Sequence, residues 1–110
     1  MEVMSTSALL VMYPGLEDQL FDPAVRSRLD HVVELASDAA VVDLAGFDGL
    51  EGVKVLVTGW GCPPLHVDTL DRLPSLQLVA HAAGTVKGLV TDAFWERGLT
   101  VTSAAAANAV

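Results

Sequence analysis

A run of small residues, Ala82-Ala83-Gly84-Thr85, follows the apolar stretch LQLVAH and is the part of this 110-residue chain best prepared for main-chain chemistry. Small side chains let an anion approach backbone N–H groups closely, and successive amides can form an anion-binding nest. The same residues also suit an ordinary strand-to-helix turn. A second loop, Gly59-Trp60-Gly61, begins like a dinucleotide fingerprint. It continues as Cys62-Pro63-Pro64, so no third glycine opens a helix, and the prolines remove donors that a pyrophosphate would use. Nucleotide binding through this loop is rejected. Because it follows the clearest strand-like run, the loop is a candidate wall of a ligand site through Trp60 and Gly61. A glycine turn with Trp60 packed down is the alternative.

Side-chain chemistry is sparse. A nucleophilic Cys62 would need a histidine to lower its pKa. His66 is four positions on, but Pro63-Pro64 separates them, and an inert thiol is the expectation. His31, His66 and His81 share no metal-ligand spacing. His66 reads as a residue near a helix start. His81 ends a strand beside the Gly84 turn, where it could touch a substrate or serve only as a strand end. Among the fourteen carboxylates no acid/base pair stands out; Asp18, Asp22, Asp48, Glu51, Asp68 and Asp71 read as a solvated face. No catalytic residue, bound cofactor or metal is therefore assigned to this chain.

These residues need a scaffold, and the chain supplies one in alternating pieces. Residues 8–12 (ALLVM) are apolar on both faces and stop at Tyr13-Pro14-Gly15, as a strand buried on both sides would. Asp22 can cap a helix that has Pro23 at its first position, with Val25 and Leu29 one turn apart. Residues 31–35 (HVVEL) read as a weaker second strand at a sheet edge, interrupted by Glu34. Residues 41–50 are ambiguous between a short strand and a partial helix, and a poor helix is assigned. Residues 53–58 (VKVLVT) form the clearest strand. Val67, Leu70 and Leu73 then repeat at helical spacing until Pro74. Residues 76–80 are another strand. Thr91 caps a helix through Arg97, with Asp92 in its first turn and Gly98 past its end, and residues 99–102 form the last strand. Strands alternating with helices about every 20 residues predict βαβ units and a parallel α/β sheet in one domain.

Composition narrows the function classes. The net charge is −8, and the six basic residues are scattered, so nucleic acid and anionic membrane surfaces are excluded as partners. One cysteine cannot form an internal disulfide, which points to a reducing cytoplasm. No basic segment precedes the first apolar run, and no run reaches the roughly 20 residues that span a bilayer. The apolar fraction is 52%, enough for a core and enough to suggest a surface covered by a partner. A receiver domain would need acidic residues where Tyr13-Pro14 and Gly59-Trp60 stand. A flavodoxin would need a hydroxyl-rich loop where Tyr13-Pro14-Gly15-Leu16 stands.

From Leu73 onward the order of features resembles the N-terminal part of the substrate-binding domain of D-isomer-specific 2-hydroxyacid dehydrogenases. The pieces are a strand at 74–80, a glycine-containing loop at 82–88, a helix ending in Arg97-Gly98, a strand at 99–102, and a small-residue segment at 103–108 with Asn108. The run 53–60 is similar to the strand preceding that unit. The resemblance implies a flavodoxin-like three-layer parallel sheet of about five strands flanked by helices. It also implies that main-chain amides at Ala83 and Gly84, with Thr85 adjacent, hold the carboxylate of a small 2-hydroxy or 2-oxo acid. Many members carry Asp-Asn shortly after the glycine, where this chain has Val86-Lys87. In the family a nucleotide-binding domain follows and supplies NAD or NADP with the catalytic Arg, Glu and His. The 110-residue chain alone is thus expected to be inactive, to self-associate as a homo-oligomer, and to need that domain as partner. The second reading is a stand-alone flavodoxin-like module that binds an anion or a protein without catalysis.

Overall fold

The computed structural model describes residues 6–37, 39–42, 44, 47–82 and 89–103. Among them are strands β1 (Thr6–Val11), β2 (Val33–Leu35), β3 (Val55–Thr58), β4 (Leu78–His81) and β5 (Thr100–Ser103). Helices α1 (Leu16–Leu20), α2 (Pro23–Val32), α3 (Val67–Asp71) and α4 (Asp92–Glu96) are interspersed. The strands form one sheet in the order β2-β1-β3-β4-β5, and every pairing is parallel. This is the α/β, flavodoxin-like arrangement that the alternation and the resemblance predict.

The central strands are hydrophobic on both sides because both sides are covered. Ala8 to Met12 are each fully buried. Leu9, Val11, Leu56 and Val79 point into a core shared with Leu70, Leu73 and Phe94 of the α3–α4 side. Leu10, Met12 and Val57 point the other way, against Leu16 of α1, with Leu29 of α2 half-buried beside them. One register row on that second side runs Leu10, Val57, Ala80, Thr102. It goes from fully buried through half-buried to exposed.

Local chemistry sets the helix starts. The Asp22 side chain accepts from the Val25 N–H at 2.8 Å, and Pro23 occupies the first turn, as expected. Thr91 Oγ1 accepts from the Phe94 N–H at 3.2 Å, and Gly98 adopts φ 72 past the helix end. His66 is the N-cap of α3, although its side chain makes no capping bond.

Two expectations are corrected. Residues 31 and 32 belong to α2, so the second strand holds only Val33–Leu35. His31 is tied into the helix by a 2.7 Å contact from Nδ1 to the Ser27 carbonyl, an i to i−4 contact that a strand would not make. Its edge position is as expected. The poor helix at 41–50 is also wrong in its first part. Val41 is extended and bridges Val11 in parallel, with Met12 N–H donating to Val41 O and Val41 N–H to Leu10 O, each at 2.9 Å. Two backbone bonds to the β1 segment outcompete a short helix containing glycine. Among the described residues Leu44 is in 3-10 conformation, and a 3-10 turn spans Leu50–Gly52, entered through Gly49 at φ 90. Helix α1 received no assignment from the sequence.

Candidate functional site

Register puts Val11, Thr58, His81 and Ser103 in one row at the carboxyl ends of β1, β3, β4 and β5. In parallel sheets that edge is where ligands bind, at the point where strand order reverses. Here the reversal lies between β1 and β3.

The loops leaving those two strands are joined. Tyr13 N–H donates to the Trp60 carbonyl at 2.8 Å. Gly61 adopts φ 96, and a Cβ on it would lie 2.6 Å from Tyr13 Cγ and 2.8 Å from the Tyr13 backbone nitrogen. Glycine is therefore required both by conformation and by space. Trp60 is 64% exposed and Tyr13 60% exposed. Trp60 is not packed down, so that alternative for the glycine turn is overturned. The two aromatic side chains stand open at the switch point.

His81 is 8% exposed and Thr58 fully buried, and their side chains meet, with Oγ1 and Nδ1 2.7 Å apart. The Ala82 N–H donates to the Thr58 carbonyl at 2.7 Å. β3 thus holds the chain where it leaves β4. The same region holds it again at Leu89, whose carbonyl accepts from the Leu65 N–H at 2.9 Å. Thr91 Oγ1 then donates to the Leu65 carbonyl at 2.6 Å. Residues 83–88 lie between these two anchorages, and Ala83, Gly84 and Thr85 lie outside the described residues. Of the candidate wall, Trp60 and Gly61 sit in the stretch between Thr58 and Leu65, which carries the anchors.

The remaining groups sort clearly. Burial pushes the Cys62 thiol up to about 12, so it stays protonated at neutral pH and makes a poor nucleophile. Its Sγ contacts the Pro63 carbonyl at 3.5 Å. Asp18, Asp22, Asp48, Glu51, Asp68 and Asp71 are all exposed. Among the described residues no group of three or more His, Cys, Asp and Glu is placed to hold a metal ion. No helix among them is long and apolar enough to cross a membrane.

Glu17 is the carboxylate that sequence reasoning missed. It is 5% exposed and accepts from Gly15 N–H at 2.7 Å and Ala40 N–H at 2.8 Å. Burial alone would raise its pKa. The backbone N–H groups, with the charge of Arg26, outweigh that and hold the carboxyl below the ordinary glutamate value. Its place in LEDQL gave no hint, because Ala40 is 23 residues away.

A concavity of about 350 Å³ lies elsewhere, lined in part by Asp48, Glu51, Asp71, Arg72 and Pro74. These residues precede β3 and β4 in the chain, so it opens at the amino ends of the strands. No protein-family model and no curated protein matches the chain.

Proposed function

We propose that this chain is the substrate-binding segment of an NAD(P)-dependent oxidoreductase that interconverts D-2-hydroxy acids and 2-oxo acids. The observation that carries this reading is the parallel sheet ordered β2-β1-β3-β4-β5, with Ala82 bonded to Thr58, and Leu89 and Thr91 bonded to Leu65, near the carboxyl ends of its strands. A carboxylate-binding loop must hold its amides steady, because preorganised donors avoid an ordering cost on binding. In this reading Ala83 and Gly84 offer main-chain N–H groups to the substrate carboxylate, with Thr85 adjacent. Trp60 and Gly61 form the neighbouring wall. The NAD or NADP, the hydride transfer and the proton transfer belong to a nucleotide-binding domain that closes over this edge. The enzyme works in the cytoplasm, as a homo-oligomer.

Two measurements test the reading. Titration of the 110-residue chain with pyruvate, followed by amide chemical shifts, should move residues 82–88 saturably. Absence of any saturable shift removes the substrate-binding role. NADH oxidation with pyruvate should be undetectable for this chain alone, and turnover would refute the assignment of the chemistry to another domain. The exposed Tyr13 and Trp60 favour a second reading, a non-catalytic module that binds an anion or a protein through this edge. Pyruvate-independent capture of a folded protein partner, abolished by Trp60→Ala, would support it.

A further inference from the structure

We infer that Tyr13 and Trp60 form a subsite for a flat apolar group, and that the 2-oxo acid bound by this chain carries an aromatic side chain. The choice of a 2-oxo acid rests on the proposed function; the subsite rests on the two loops themselves.

Both residues stand where the strand order reverses. Val11 of β1 and Thr58 of β3 are register partners, and Tyr13 and Trp60 each lie two residues further on. The Gly59 N–H donates to the Val11 carbonyl at 3.2 Å, and the Tyr13 N–H to the Trp60 carbonyl at 2.8 Å. The two loops are therefore bonded to each other as they leave the sheet. The backbone after Tyr13 is tied as well, through Leu16 N–H to the Tyr13 carbonyl at 3.0 Å and Gly15 N–H to the Glu17 carboxylate at 2.7 Å. One flank of the phenol is seated on Gly61, and more than half of each aromatic side chain faces solvent. Aromatic surface held by a fixed backbone binds a guest with little further ordering.

The other large hydrophobic side chains left exposed among the described residues are Leu20, Val25, Val32, Val67 and Trp95, and all five lie on helices. Tyr13 and Trp60 lie on loops instead, and both loops leave the edge at which parallel sheets bind ligands. The chemistry of these loops selects the guest. Residues 12–15 (MYPG) and 59–65 (GWGCPPL) contain no Asp, Glu, Lys or Arg. Cys62 among them stays a neutral thiol. A second carboxylate, a phosphate or an ammonium on the guest finds no ionic partner in either loop. An aromatic ring finds two aromatic surfaces, where stacking or edge contact adds to the apolar area removed from water.

The test compares phenylpyruvate with pyruvate on the 110-residue chain, by chemical-shift titration of amide and indole N–H groups. Phenylpyruvate should bind about tenfold more tightly than pyruvate and shift the Trp60 indole, while the Trp95 indole on α4 stays in place. Trp60→Ala and Tyr13→Ala should each cut that preference to about twofold, and Tyr13→Phe, which keeps the ring, should retain it. Melting temperatures check that each variant is folded. Equal affinity for the two acids, or a preference that survives both alanine variants, overturns the subsite and leaves the function standing. Failure of both acids to bind overturns the inference together with the function it rests on, and leaves this surface to the protein partner of the second reading.

Discussion

The two faces of the sheet are unequally built. On the face towards α3 and α4, Leu9, Val11, Leu56 and Val79 are buried against Leu70, Leu73 and Phe94. On the face towards α1 and α2, Leu10, Met12 and Val57 are covered by Leu16, while α2 contributes no fully buried residue. Its Val25 and Val32 are exposed, and further along the sheet Ala80 is half-buried and Thr102 exposed. The α3–α4 face is packed like a domain interior and carries the anchors of the candidate loop. The α1–α2 face has a smaller buried cluster and a buried carboxylate, Glu17, that accepts from the Gly15 and Ala40 N–H groups.

The largest test of that contrast is Phe94→Ala. Phe94 is fully buried and meets Trp95 edge to face, with ring centroids 5.1 Å apart. Its loss should lower unfolding free energy by about 3–5 kcal/mol, measured by urea denaturation. A loss below about 1 kcal/mol would mean that this face is not the stabilising one.

Arg97→Ala comes next. The guanidinium donates to the carbonyls of Leu70 at 2.6 Å and Leu73 at 2.5 Å, closing the carboxyl end of α3 from α4. Both carbonyls also accept from backbone, Leu70 O from the Leu73 N–H at 3.0 Å and Leu73 O from the Leu76 N–H at 3.1 Å, so the guanidinium adds a second donor to each. Removal should cost about 1–3 kcal/mol, and Arg97→Lys should recover only part, since an ammonium cannot fork.

On the other face, Glu17→Gln tests the polar ties. It should cost about 1–3 kcal/mol at neutral pH, because an amide nitrogen faces backbone donors. The pH dependence follows from the depressed carboxyl. Stability from Glu17 is fully present above its unfolded-state pKa and is lost as pH falls through the lower folded-state value. The gap between wild type and Glu17→Gln should therefore shrink on acidification, in denaturation curves taken across the carboxylate range. A constant gap would assign the tie to shape alone. Last, Val32→Ser should change stability by no more than about 0.5 kcal/mol, because Val32 is 69% exposed. A larger loss would show that this face is covered by something in solution.

What could be read from the residues follows from how far apart the interacting groups lie. Asp22 and Val25, or Thr91 and Phe94, are three residues apart, so their caps are visible in a short window. The double burial of β1 was legible because ALLVM has no polar side. Thr58 and His81, like Glu17 and Ala40, are 23 residues apart, and only the register of parallel strands or the path of a loop brings them together. Arg97 looked like one more scattered charge because its partners are carbonyls, which every residue has. Helix α1 was missed for a similar reason. Its N-cap is Gly15, which makes no side-chain bond, and its anchor is Glu17 reaching Ala40.

Gly61 carries a consequence for how this chain can vary. Its φ of 96 excludes most side chains, and its neighbours exclude a Cβ independently. Removing the Tyr13 ring would clear one obstruction and leave the Tyr13 backbone nitrogen 2.8 Å away. No compensating change at position 13 can therefore release position 61. In a saturation library selected for folding, position 61 should return glycine in every genetic background, while Trp60 beside it drifts freely unless binding is also selected.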